Sequence, residues 1–256
     1  MDSKQPKICS KKIKKIVDTP RGLWDSATTH GNNNIQIMRT KLLATAAILA
    51  VGLASSMAQS NVYSLNVVGY VNKAFTGGGF TAAANPLNAT NNSLNTIMKG
   101  SQVPDNTTVF FWDPVAQDFS PILPTYNATS QTWVPDATLN PGTGIFVFAP
   151  TGFTNTFVGE VKQGSTTIPI AASFSAIASP VPIGGDVSAV LAQLPAGDND
   201  TAFKWNPAAQ DFSELSSYNA TSGQWIPAVN FAVADGILYF RAGAATSWVR
   251  NFTVAP

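Results

Sequence analysis

Four segments of this chain place two aromatic residues seven positions apart around the same turn chemistry. Trp112-Asp113-Pro114 leads to Phe119, Tyr126-Asn127-Ala128 to Trp133, Trp205-Asn206-Pro207 to Phe212, and Tyr218-Asn219-Ala220 to Trp225. Recurrence at one spacing predicts four β-hairpins with four-residue loops, such as Pro114 to Gln117, whose paired aromatics face each other across the strands. Proline pre-sets φ for the first position of a type I turn, and Asp or Asn before it bonds the turn backbone. The last loop position needs a positive φ, which suits Gly223 and is only tolerated by Gln117, Gln131 and Gln210. A cross-strand aromatic pair contributes roughly 0.2–1 kcal/mol. The motif therefore specifies a fold and names no reaction.

The hairpins sit inside a tandem repeat. Phe80 to Leu87 matches Phe174 to Val181, Gln117-Asp118-Phe119-Ser120 matches Gln210-Asp211-Phe212-Ser213, and Gly144 to Phe148 matches Gly236 to Phe240, at offsets between 91 and 94 residues. A repeat this long is domain-sized rather than a solenoid turn. Each copy reads in the same order: an apolar strand, a second strand ending at Asn85-Pro86 or Ser179-Pro180, a short helix, two aromatic hairpins, a glycine-led strand and a closing strand. In the second copy Asp186 caps a segment with Val187, Val190, Leu191 and Leu194 on one face; in the first, Leu94, Ile97 and Met98 keep the spacing, with Asn92 or Ser93 as cap. Many short strands with regular turn signals predict a mainly β protein. The expected architecture is two tandem β-sandwich or partly closed barrel units, residues 59–162 and 163–256, each with one short helix.

The amino-terminal part reads differently. Met38-Arg39-Thr40-Lys41, an uncharged apolar run from Leu42 to Leu53 and the small residues of Ser56-Met57-Ala58 predict a secretory signal peptide over 38–58. The apolar run falls short of the ~20 residues a membrane helix needs. Residues 1–37 are read as an extension from an over-extended gene start or as a long signal-peptide head, with a nucleic-acid-binding arm as a third reading. Of 15 Lys and Arg, nine lie in residues 1–58, together with three of 14 Asp and Glu, so the expected mature part carries six basic and 11 acidic residues. Its scattered basic residues form no positive stripe of the kind nucleic acid requires. Cys9 and His30, the only cysteine and histidine, both precede the expected cleavage site. A mature chain without them has no disulfide, no Cys/His zinc site and no histidine-based triad.

Several segments also resemble a known family. Val62-Tyr63-Ser64-Leu65-Asn66-Val67-Val68-Gly69-Tyr70-Val71-Asn72, Phe80…Asn85-Pro86-Leu87, Asn140-Pro141-Gly142-Thr143-Gly144-Ile145-Phe146-Val147 and Thr156-Phe157-Val158-Gly159-Glu160-Val161 are similar to elements of exported, uncharacterised two-repeat proteins of verrucomicrobial bacteria. The resemblance spans about 61–254 and implies secretion and a β-rich fold, without an activity. Thr143 stands where that family usually has Glu, and Ala234-Asp235-Gly236 replaces its Pro-Gly-x-Gly form.

Three groups of residues carry candidate chemistry. Trp112, Tyr126, Trp133, Trp205, Tyr218 and Trp225 form a sugar-stacking face in one reading, and pin hairpin register and fill the core in the other. Asp118 and Asp211 are the candidate carboxylates of a hydrolase, or close their hairpin turns. Asp198-Asn199-Asp200 offers oxygen ligands for calcium, or is a solvated turn. The sequence leads to an exported, non-enzymatic structural or surface protein that uses no cofactor and no metal. Its expected partners are polysaccharide or cell-envelope components, with no nucleic acid and no membrane span in the mature chain. A lectin-like carbohydrate-binding module is the alternative, ahead of a carboxylate-dependent glycan hydrolase. The expected address is periplasmic, extracellular or on the outer surface.

Overall fold

Alternation of apolar and polar residues lays down the outer strands, and runs of consecutive apolar residues the central ones, in the computed structural model, which describes residues 67–254. The readings placed on residues 1–37 and on the signal peptide, and those of Cys9 and His30, lie outside the described residues. The protein is mainly β. Its first repeat contains β1 (Val68–Phe75), β2 (Gly79–Ala84), α1 (Leu94–Ile97), β3 (Thr108–Asp113), β4 (Asp118–Phe119), β5 (Thr125–Asn127), β6 (Thr132–Val134), β7 (Gly144–Ala149) and β8 (Phe153–Glu160). The second contains β9 (Gly164–Ile170), β10 (Ser173–Ile177), β11 (Gly185–Asp186), α2 (Val187–Val190), β12 (Thr201–Asn206), β13 (Asp211–Asn219), β14 (Gln224–Ile226), β15 (Asn230–Phe231), β16 (Ile237–Arg241) and β17 (Thr246–Phe252).

The strand orders correspond. One sheet runs β2-β7-β3-β5-β6, with β4 also paired to β3; the other runs β10-β16-β12-β13-β14. The outer strands form ribbons, β1 with β8 and β9 with β17. A core lies between each sheet and its ribbon. The first holds Leu94, Val109, Tyr126, Trp133, Ile145 and Phe157, the second Ile168, Val187, Ala202, Ile237, Tyr239 and Trp248. On β8 the inward positions Phe153, Asn155 and Phe157 alternate with exposed Thr154, Thr156 and Val158, the period-two pattern of a half-buried strand. The described residues belong to one compact unit.

Three of the aromatic pairs stand directly opposite each other: Trp112 with Phe119, Tyr126 with Trp133 and Tyr218 with Trp225. Trp205 and Phe212 meet edge-on at 5.0 Å, beside a register shift between Lys204 and Asn206. All four loops end on a positive φ: 55° at Gln117, 53° at Gln131, 58° at Gln210 and 67° at Gly223. The helices are single turns. Asp186 caps α2 by accepting from the Ser188 amide, whereas the Ser93 side chain makes no cap bond to α1. The repeats differ between their hairpins. Pro121 and Pro124 interrupt the first, leaving β4 and β5 as fragments, while the second runs unbroken as β13. Proline has no N–H to give a ladder, which accounts for the break.

Candidate functional site

On β3, Val109 and Phe111 turn toward the first core, so Phe110 and Trp112 emerge on the opposite side of the sheet. On β12, Ala202 is buried in the second core and Phe203 and Trp205 emerge likewise. Phe80, Phe146 and Phe148 join this side from the first repeat and Phe174, Phe212 and Phe240 from the second. Neighbouring rings contact mainly edge-to-face or tilted: Phe80 with Phe110 at 5.4 Å, Trp112 with Phe119 at 5.3 Å, Phe174 with Phe240 at 5.1 Å. Phe146 bridges the repeats, 5.3 Å from Trp205 and 5.9 Å from Phe212. Edge-to-face geometry sets the positive rim of one ring against the negative face of the next.

A cleft of about 250 Å³ opens within this array, lined by Phe80, Phe110, Phe119 and Phe146 of the first repeat and Trp205 and Phe212 of the second. Phe146 is nearly covered at 7% exposure, while Phe119 stands at the mouth at 39%. The lining holds no charged side chain, and its one polar group, the Trp205 indole N–H, is bonded to the Phe80 carbonyl.

Side-chain amides and indoles hold the two walls together. Gln117 accepts from the Phe174 amide at 2.8 Å and donates to the Phe174 carbonyl at 3.0 Å. Gln210 does the same to Phe80, at 2.7 and 2.9 Å. Each glutamine thus completes the outer edge of a strand, pairing as a peptide group would. The Trp112 indole donates to the Phe174 carbonyl and the Trp205 indole to that of Phe80, at 3.1 and 2.9 Å. A Cβ on Gly144 would lie 2.7 Å from the Ile177 carbonyl oxygen, and one on Gly236 2.8 Å from that of Ala83, so glycine lets the backbones approach. Lys73 and Asp235 add an ion pair at 2.5 Å. Asp235 thereby ties its loop to β1 of the other repeat.

The six aromatics of the proposed sugar face are not one surface. Tyr126 and Trp133 are each 1% exposed and belong to the first core, where the Trp133 indole donates to the Met98 carbonyl. They drop out of any open platform because strand alternation turns their hairpin inward, opposite to Trp112. Tyr218 and Trp225 are partly buried, and Trp225 packs against the second core, 6.3 Å from Tyr239. Of the six, only Trp205 lines the cleft; Trp112 lies beyond Phe119, against Phe174. The sequence reading missed Phe80, Phe110, Phe146 and the two glutamines. A signal existed for Phe110 and Phe146: the residues from Val109 to Trp112 and from Ile145 to Ala149 are apolar at consecutive positions, the mark of strands covered on both faces.

The candidate carboxylates do not line the cleft. Asp118 and Asp211 are exposed at the start of their strands, each alternating with a phenylalanine of the cleft. Asp198 accepts from Ala220, and wholly buried Asp200 accepts from Gly197, Ala242, Tyr239 and Arg241. A guanidinium at 2.7 Å and two amides occupy the Asp200 oxygens that a calcium ion would need. Among the described residues no three His, Cys, Asp or Glu side chains are grouped to hold a metal, and no helix is long and apolar enough to cross a membrane. Comparison of the chain with protein-family models, curated proteins and solved structures gives no match.

Proposed function

We propose that this is an exported, non-enzymatic contact protein that takes a small apolar group, an aromatic ring or a short alkyl chain of an envelope or extracellular component, into the cleft between its repeats. The observation that carries this reading is the cleft itself: about 250 Å³ walled by six aromatic side chains and by nothing that titrates. A dry cavity of about 150 Å³ accommodates benzene, so the space suits one ring with a short substituent. It is smaller than the ~300–1,000 Å³ of pockets for drug-sized ligands. A pyranose would bury hydroxyls there without partners, at a cost of about 1–3 kcal/mol each. This places a sugar behind an apolar group as occupant.

Saturation-transfer NMR with toluene, p-cresol and hexanol against methyl glucoside and cellobiose tests the reading. The apolar probes should receive saturation, and Phe119→Ser at the mouth should weaken it while the fold persists. Transfer to the sugars alone would reverse the choice of ligand. Turnover of any member of a broad glycan panel by the purified protein would end the non-enzymatic reading.

A further inference from the structure

The hydrogen bonds to strand backbone across the joint between the repeats occur twice with the roles exchanged, while the Lys73–Asp235 ion pair and the Phe146 ring contacts occur once. Gln117 and Trp112 hold the Phe174 backbone as Gln210 and Trp205 hold that of Phe80. The Ala178 amide donates to the Gly142 carbonyl at 3.0 Å, and the Ala84 amide to the Ala234 carbonyl at the same distance. A face built in this way is self-complementary, the property that defines a twofold interface between identical subunits. Here one chain supplies both halves, and only Val161, Lys162 and Gln163 connect β8 to β9. Gly164, at the start of β9, has φ +79° and open space where a Cβ would lie. The connection can therefore turn there without a steric barrier from a side chain.

We propose that two copies of this chain exchange repeats through this face, the first repeat of each copy docking on the second repeat of the other. The exchanged pair makes the same hydrogen bonds, ring contacts and Lys73–Asp235 ion pair as the closed chain. The balance between them is set by chain concentration against the effective concentration that the connection imposes, on the order of mM for a short linker. A connection of three residues leaves little slack, and short hinge loops are the ones that invite exchange. Each exchanged pair carries two aromatic clefts on one particle. Accumulation of the protein at a surface would thus convert a single-site binder into a two-site one.

The test uses the full chain, unfolded in denaturant and refolded at about 1 mM, near the effective concentration of a short linker. Size-exclusion chromatography with light scattering should show a species of doubled mass with native tryptophan emission. On dilution it should persist, because separation requires repeats to undock and reclose. Only monomer after refolding, or a dimer that falls apart within minutes of dilution, would overturn the proposal. Deleting Lys162 and Gln163 should drive the chain wholly to the doubled species, and a six-residue Gly/Ser insertion after Gln163 should return it to monomer. A folded monomer from the deletion variant would equally count against exchange. Should that variant fail to fold, the refolded parent chain still decides the matter.

Discussion

Gln117 and Gln210 show what a single residue can do at a strained position. The sequence places a positive φ at both, and glutamine is a poor choice for that backbone alone. The choice makes sense once Phe174 and Phe80 are brought alongside, because the side-chain amide then satisfies a strand edge that would otherwise present unpaired groups. That partner is 57 residues away for Gln117 and 130 for Gln210, so no local pattern reveals it. Gln210→Ala should lower stability by about 1–3 kcal/mol, since two bonds to Phe80 are lost at about 0.5–1.5 kcal/mol each; urea denaturation with an unchanged m-value checks this. Gly144→Ala should cost about 1–3 kcal/mol, because the atom it would strike is backbone and cannot rotate away. Tyr239 makes a prediction about pH. Burial, and then the bond to the Asp200 carboxylate, push its phenol above the ordinary value of 10.0. A pKa higher in the folded state means that the stabilisation is complete below pH ~10 and is lost as pH rises beyond the unfolded value. Stability should therefore fall above pH ~10 in chemical denaturation, and Tyr239→Phe should flatten that part of the slope.

At the scale of elements, the hairpins were legible and the direction in which each faces was not. Spacing and turn chemistry specify which residues meet, but the face they share depends on register with the next strand. Pro121 and Pro124 in one repeat, and the register shift in the other, break the count between successive hairpins. Trp112 and Tyr126 thus diverge, one to the joint and one to the core. Edge protection differs between the repeats in a way that can be tested. Tyr126 and Tyr218 both use their backbone N–H and C=O on the side away from their hairpin partners, bonding Thr107 and Asn106, or Asp200 and Asn199. Trp133 and Trp225 therefore turn theirs to the outer edge. In the first repeat Asn95 of α1 meets both groups of Trp133, at 2.7 and 3.3 Å. The corresponding residue of α2 is Ser188, whose side chain bonds Asp186 instead. Ser188→Asn should supply the missing amide and raise the thermal midpoint, with a gain of about 0.5–1.5 kcal/mol. Asn95→Ala should lose a comparable amount, and an unchanged midpoint in both variants would remove edge capping as the role of this site.

At the scale of the molecule, composition pointed to a mainly β chain and repetition to one order of elements written twice along it, while the way the copies meet stayed hidden. The joint lies on the aromatic side of both sheets and covers most of its rings only in part, and a sequence pattern cannot show which of two apolar faces turns inward and which turns to a second sheet. Each repeat has its own buried cluster, yet Ala234 of the second packs into the core of the first. The Lys73–Asp235 pair crosses the same joint. Two cores that share this contact should unfold together as long as the joint contributes more than the difference in their separate stabilities. Calorimetry of the parent chain should accordingly give one transition with matching calorimetric and van't Hoff enthalpies. The double variant Gln117→Ala and Gln210→Ala removes the paired amides from both halves while leaving both hydrophobic clusters in place. It should split the transition in two, or broaden it until the enthalpies no longer agree. A single sharp transition at a lower midpoint would mean instead that the aromatic contacts alone couple the repeats, and Phe146→Ala, which removes the ring that bridges them, should then be the change that separates the transitions.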